Sequence, residues 1–172
     1  MSAARGAPDP DGIDVTYDVD PARVGALGGP DESEIRAIVA AALDEGGRAG
    51  VELSVVLVDD ATLAALHGQQ LGDPTPTDVM SFDLEDDDVS GAQALGPVGE
   101  VYVSVDRAQA VASERGVRFA RELALYLVHG TLHLCGHDDH EPDDRARMRA
   151  AESRVLARLG FEADTAPHDI DG

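Results

Sequence analysis

The pattern of apolar and polar positions along the chain predicts short strands that alternate with amphipathic helices. Two-residue alternation or short valine-rich runs predict four strands, at residues 13–19, 53–58, 79–84 and 99–105. Apolar residues three and four positions apart, bounded by capping and stop signals, predict five helices, at residues 31–46, 59–67, 106–116, 117–134 and 142–159. This interspersion indicates an α+β fold in which helices cover one small mixed β-sheet.

Capping signals indicate where three of these helices begin. Asp31 precedes an acidic residue three positions later, Glu34, which resembles a capping box. Asp59 or Asp60 can cap the second helix with a side-chain oxygen. Pro142 suits the first position of the last helix, because that position has no backbone hydrogen bond to lose.

The length and composition of the chain fit a single domain. Its 172 residues, 43% of them hydrophobic, are enough to form the hydrophobic core of one domain. We expect loose tails over residues 1–12 and 162–172 and one domain over residues 13–161. The sequence has no apolar run of membrane-spanning length, no signal-peptide hydrophobic region and one cysteine, Cys135. We therefore expect no membrane partner and a cytoplasmic location.

The charge of the chain is unevenly distributed. The net charge is −21, from 34 acidic residues against 13 arginines. Residues 106–158 hold nine arginines and nine acidic residues, so the rest of the chain carries the whole excess. Taken alone, the net charge argues against a polyanionic partner. An anionic substrate would be tolerated best on residues 106–158, the balanced segment, where positive and negative charges are equal in number.

Four of the six histidines fall within residues 129–140. His129 and His133 stand four residues apart, so they share one face of a helix. Gly136 can then turn the chain back towards them. Four more potential ligands or polar groups follow that turn: His137, Asp138, Asp139 and His140. Two imidazoles and one ligand from a following loop are how a catalytic zinc is held, with one position open.

The third ligand is Asp139 or His140. Asp139 lies ten residues after His129, which is the metzincin spacing of two helical histidines, a glycine turn and a third ligand. His140 is the alternative, because imidazole is the commoner zinc ligand. Two histidines and a carboxylate also suit iron or another divalent ion, so the metal is not fixed as zinc. We expect His137 and Asp138 to face the substrate or support the ligands.

The residue after the first histidine argues against a peptidase. A zinc peptidase of the HExxH type needs a glutamate there as general base, and this chain has Gly130. Water must be activated by another group or by the substrate itself, so a peptidase-like hydrolase is the less favoured alternative. Cys135 is interpreted as a small buried residue rather than a ligand.

Residues 129–136 resemble the signature of the YbeY family of bacterial rRNA-maturation endoribonucleases, H-G-x-L-H-L-x-G-[YH]-D-H. Residues 76–82, Pro-Thr-Asp-Val-Met-Ser-Phe, resemble the family's P-T-[DN]-V-L-S-F. Residues 99–104 resemble its G-[DE]-I-x-I-[SC], and Glu122 and Met148 also fit the family pattern. The resemblance covers residues from about 50 to 161.

The resemblance implies a function for the domain. It implies one metallohydrolase domain with a zincin-like helix, and one zinc ion held by His129, His133 and Asp139. It further implies a single-strand-specific endoribonuclease that acts in small-subunit rRNA 3′-end maturation and ribosome quality control, with RNA and the small subunit as partners. The oligomeric state is not predicted.

This chain departs from the family pattern at two positions. The family's third ligand is usually histidine, where this chain has Asp139 followed by His140. The family usually has an arginine where this chain has Leu71. We therefore consider the arginines of the balanced segment as substrate-binding residues: Arg107, Arg115, Arg118 and Arg121.

The expected mechanism is metal-assisted cleavage. A metal held by His129 and His133 would lower the pKa of bound water to about 7, and this hydroxide or the RNA 2′-OH would attack the phosphodiester. Glu122 or His137 would carry the proton. The alternative is a non-catalytic, metal-stabilised ribosome-associated factor, which Leu71 and the net charge favour.

Overall fold

The computed structural model describes residues 12–71, 79–84, 98–137 and 141–162. The strands are β1 (Ile13–Tyr17), β2 (Leu53–Val58), β3 (Val79–Asp83) and β4 (Gly99–Ser104). The helices are α1 (Pro21–Ala26), α2 (Glu32–Glu45), α3 (Asp60–Leu71), α4 (Val105–Arg115), α5 (Phe119–Leu134) and α6 (Pro142–Arg158). No helix in these ranges is long and apolar enough to cross a membrane. The predicted tails lie outside these ranges, apart from Gly12 and Glu162.

The four strands form one mixed sheet, which confirms the predicted fold class. Their order is β1-β2-β4-β3. β1, β2 and β4 run parallel, whereas β3 pairs antiparallel with β4 and places Val79 opposite Val103. The apolar pattern located all four strands to within two residues at each end, but it carries no information on strand direction.

The helix ends follow the capping chemistry with two exceptions. Asp31 and Glu34 form the predicted capping box, and it is Asp59 whose side chain accepts from the Thr62 N–H, at 2.6 Å. The fourth predicted helix, which is α5 in the structure, begins at Phe119 rather than Val117, since Gly116 takes a left-handed conformation that ends α4. α1 was not predicted, because its six residues are too few to show a helical period.

Helix α5 lies at the centre of the molecule. It packs against α2, α4 and α6 and against strands β3 and β4. Every residue of α5 is buried except Ala120 and His133. A helix that is enclosed on nearly all sides belongs to the core, so the candidate metal ligands lie at the end of a core element.

Helix α5 approaches the sheet closely at Gly130. A Cβ atom at this position would lie 2.7 Å from Val101 Cγ1 and 2.9 Å from Val79 Cγ2. The hydroxyl of Ser81 donates to the Gly130 carbonyl at 2.8 Å. Because no side chain fits between helix and sheet here, Gly130 fixes the distance of both neighbouring histidines from β3.

Adding one methyl group tests this close approach. We expect Gly130→Ala to lower the free energy of unfolding by about 1–3 kcal/mol, because the added carbon overpacks the contact with Val101 and Val79. The matched control is Gly25→Ala in α1, where no atom lies within 4 Å of the added Cβ. Alanine favours both helices by up to about 1 kcal/mol, so the difference between the two variants isolates packing. If urea denaturation gave Gly130→Ala and Gly25→Ala the same free energy of unfolding, the close contact at Gly130 would be contradicted.

Candidate metal centre

The two histidines of α5 converge on one point. The Nε2 atoms of His129 and His133 lie 3.0 Å apart, and the rings meet edge to face with centroids 4.6 Å apart. Two nitrogens bound to one tetrahedral zinc at about 2.0–2.1 Å lie about 3.3 Å from each other. A small ring rotation therefore brings both nitrogens to the coordination distance of a single ion.

One histidine is enclosed and the other borders a cavity. His129 is completely buried, whereas His133 is partly exposed. A cavity of about 270 Å³ is lined by His133 and Leu134 of α5 and by alternate residues of β3: Val79, Ser81 and Asp83. An ion on the histidine pair would have its inner side in the core and its outer side towards this cavity.

The buried histidine contacts a carboxylate from α6. His129 Nδ1 lies 3.2 Å from Glu152 Oε2, and Arg149 Nη1 donates to Glu152 Oε1 at 2.8 Å. An ionised carboxylate can only accept, so Nδ1 is the donor and Nε2 of neutral His129 keeps its lone pair. The donor set therefore fits a cation, because two imidazole nitrogens converge and the other nitrogen of the His129 ring faces a carboxylate that can accept its hydrogen.

Glu152 is a site residue that no sequence motif indicated. The available signal was its position four residues after Met148, on a stripe of α6 whose other members are buried and apolar. A charged residue on such a stripe indicates a specific partner, because an unpaired buried charge is costly. The pattern could not identify that partner, which lies on another helix.

The choice of third ligand stays a prediction. Within the described ranges, no third histidine, cysteine, aspartate or glutamate joins the pair. Asp138, Asp139 and His140 all lie outside those ranges. Gly136 makes the expected turn, with φ of 94°, and the N–H of His137 donates back to the Leu132 carbonyl at 3.1 Å.

Cysteine ligation finds no support in the surroundings of Cys135. Burial raises the pKa of its thiol, and nearby Arg48 only partly opposes that effect. A thiol that stays protonated is a poor metal ligand. Cys135 instead packs against the hydrophobic core, as the sequence analysis expected.

The other candidate residues lie away from the histidine pair. Glu122 is fully buried and lies seven residues before His129, about 10 Å along the helix axis. Arg118 pairs with Glu162 at 2.8 Å, and this contact holds the pKa of the Glu162 carboxyl at about 2. Arg121 donates to the Glu162 carbonyl. These residues are at the N-terminal end of α5, whereas the histidines are at its C-terminal end.

The remaining arginine candidates belong to α4. Arg107 lies in its first turn and Arg115 in its last turn, next to the start of α5. The role of both arginines in substrate binding stays a prediction. Arg48, which the sequence analysis missed, does reach the right end of α5, where its Nη1 donates to the Leu134 carbonyl at 2.9 Å. Arginine near a helix C-terminus is stabilised by the helix dipole.

Comparisons with known proteins agree on one family. A family model described as Endoribonuclease YbeY matches residues 30–160. A protein of Carboxydothermus hydrogenoformans named endoribonuclease YbeY is 40% identical over 124 residues, which cover 72% of this chain and 82% of that protein. One of the same name from Symbiobacterium thermophilum is 38% identical over 136 residues, 76% of this chain and 87% of that protein.

A solved structure supports the fold. The solution structure of a Thermotoga maritima protein matches with a TM-score of 0.51 and 22% identity, covering 91% of this chain and 99% of that one. At this identity the likeness concerns the fold alone. The family model and the relatives carry the assignment, and they show that the chain belongs to the YbeY endoribonuclease family.

Proposed function

We propose that this protein is a zinc-dependent, single-strand-specific endoribonuclease of small-subunit rRNA 3′-end maturation and ribosome quality control. Its partners would be RNA and the small ribosomal subunit, and its location the cytoplasm. Family membership supports cleavage of RNA phosphodiester bonds. The observation that carries the metal dependence is the convergence of the His129 and His133 Nε2 atoms beside an open cavity.

In the proposed mechanism the metal ion and the surrounding residues have different roles. A divalent ion held there supplies a Lewis acid that polarises a phosphodiester oxygen. His129, which is buried, and His133, which lines the cavity, would hold this ion. Of the two proposed proton carriers, His137 follows the turn beyond the pair, whereas Glu122 is enclosed about 10 Å away along α5. We therefore assign proton transfer to His137.

The size and charge of the cavity constrain the substrate. A cavity of about 270 Å³ between one strand and one helix suits an unpaired, splayed-out strand better than a rigid duplex. Asp83 on its lining and the net charge of −21 oppose a polyanion. We propose that Arg48, at the same end of α5, offsets part of this repulsion.

Two alternative functions differ in how well they fit. A peptidase with a glutamate general base after the first histidine is incompatible with Gly130, which has no room for a side chain. A non-catalytic, metal-stabilised ribosome-associated factor is favoured by the acidic net charge and by Leu71 at the family's arginine position. This second alternative predicts metal binding without RNA cleavage, so one assay separates it from the proposed function.

Metal removal tests the proposed function. We expect a chelator to abolish cleavage of single-stranded RNA and added zinc to restore it. We expect His133→Ala to lose at least about 100-fold in activity, the scale on which metal sites depend on their supporting residues. The matched control is His67→Ala in α3, which should keep both metal and activity. Cleavage at an undiminished rate by metal-free protein would overturn the proposal.

Three adjacent substitutions identify the third ligand. We expect Asp139→Ala to weaken zinc binding by more than about 100-fold, which exceeds the usual effect of residues that only support a ligand. Asp138→Ala makes the same charge change one residue earlier and should weaken zinc binding less than Asp139→Ala does. His140→Ala should bind zinc normally. A zinc competition titration in which His140→Ala is the defective variant would reverse the assignment.

A further inference from the structure

Glu152 is a buried carboxylate with a defined pair of partners. Only 2% of the residue is exposed, and it lies on the buried stripe of α6 with Met148, Ala151 and Val155. A carboxylate is taken out of water at a large cost unless hydrogen bonds and opposite charge compensate for it. The compensating groups here are His129 Nδ1 on one oxygen and the Arg149 guanidinium chiefly on the other.

The arrangement of these contacts is directional. Glu152 Oε2 faces the Nδ1 side of the His129 ring, and the opposite ring nitrogen, Nε2, faces His133. Which nitrogen of a neutral imidazole carries the proton is set by the hydrogen bond that the other nitrogen makes. A hydrogen on Nδ1 therefore leaves the Nε2 lone pair directed at the point where the two histidines converge.

We propose that Glu152 is a positioning residue that fixes the tautomer and the ring orientation of His129 for metal binding. Arg149 supports it by holding the second carboxylate oxygen, which fixes the orientation of the carboxylate. This inference rests on the metal centre of the proposed function and adds to it a residue on a separate helix. In this role Glu152 would act through His129, which its Oε2 faces, and not as a ligand of the ion.

The rigidity of the surroundings makes this role effective. His129 is fully enclosed on α5, and Glu152 is enclosed on α6, which packs directly against α5. Arg149 lies one helical turn before Glu152 and its side chain is 22% exposed, so the guanidinium covers the carboxylate from the solvent side. The carboxylate can therefore hold the His129 ring even when no ion is bound.

Two substitutions at position 152 separate positioning from mere packing. Glu152→Gln keeps the shape and one acceptor oxygen, whereas Glu152→Met keeps similar bulk and removes the acceptor. We expect zinc affinity to fall about 10–100-fold in Glu152→Gln and further in Glu152→Met. The control Glu114→Gln, on the exposed side of α4, should bind zinc like the wild type. Circular dichroism checks that each variant is folded. If Glu152→Met is unfolded, the zinc affinity of Glu152→Gln decides the test.

A second readout needs neither metal nor activity. We expect ¹⁵N NMR of the metal-free protein, at mildly alkaline pH where imidazole is neutral, to show His129 protonated on Nδ1. In Glu152→Met the proton should redistribute towards Nε2, which a purely structural role would not cause.

The outcomes distinguish this inference from the proposed function. Normal zinc affinity and an unchanged His129 tautomer in folded Glu152→Met would overturn the positioning role and leave the metal centre standing. A wild-type protein that binds no divalent metal would overturn both.

Discussion

The enclosure of helix α5 is the constraint on which the rest of the structure depends. The helix is surrounded by three other helices and two strands, and one residue without a side chain, Gly130, allows it to approach the sheet. A core contact of this kind tolerates little displacement, because interiors are packed as densely as crystals. The two histidines next to Gly130 consequently hold their positions relative to β3 without help from a loop.

Because α5 is enclosed, the polar groups near its histidines need hydrogen-bond partners inside the protein. Two hydroxyls near the histidines have partners inside the protein: the Thr131 hydroxyl donates to the Leu127 carbonyl, and the Ser81 hydroxyl donates to the Gly130 carbonyl. Glu152 contacts His129 in the same way. Buried polar networks add specificity only when their members are satisfied. The result is a preorganised half-site on rigid helices, which the segment after Gly136 is proposed to complete.

The sequence predicted those features that depend on local chemistry. The Asp31 capping box, strand β2 and the helical pairing of His129 with His133 all follow from spacings of a few residues. The features it missed depend on contacts between distant segments. Glu152 meets His129 across 23 positions, and Arg48 meets Leu134 across 86. The charge balance of residues 106–158 selected four arginines on α4 and at the start of α5. Their role in substrate binding stays a prediction, because composition carries no information on position in the fold.

A single measurement addresses the central claim that the α5 histidines hold one divalent ion. It is the anomalous scattering of a crystal of the zinc-loaded protein, recorded at the zinc absorption edge. The account predicts one strong peak per chain at about 2.0–2.1 Å from the Nε2 atoms of both His129 and His133, with His129 Nδ1 still on Glu152. A peak bonded to only one of these histidines, or placed elsewhere on the molecule, would contradict it.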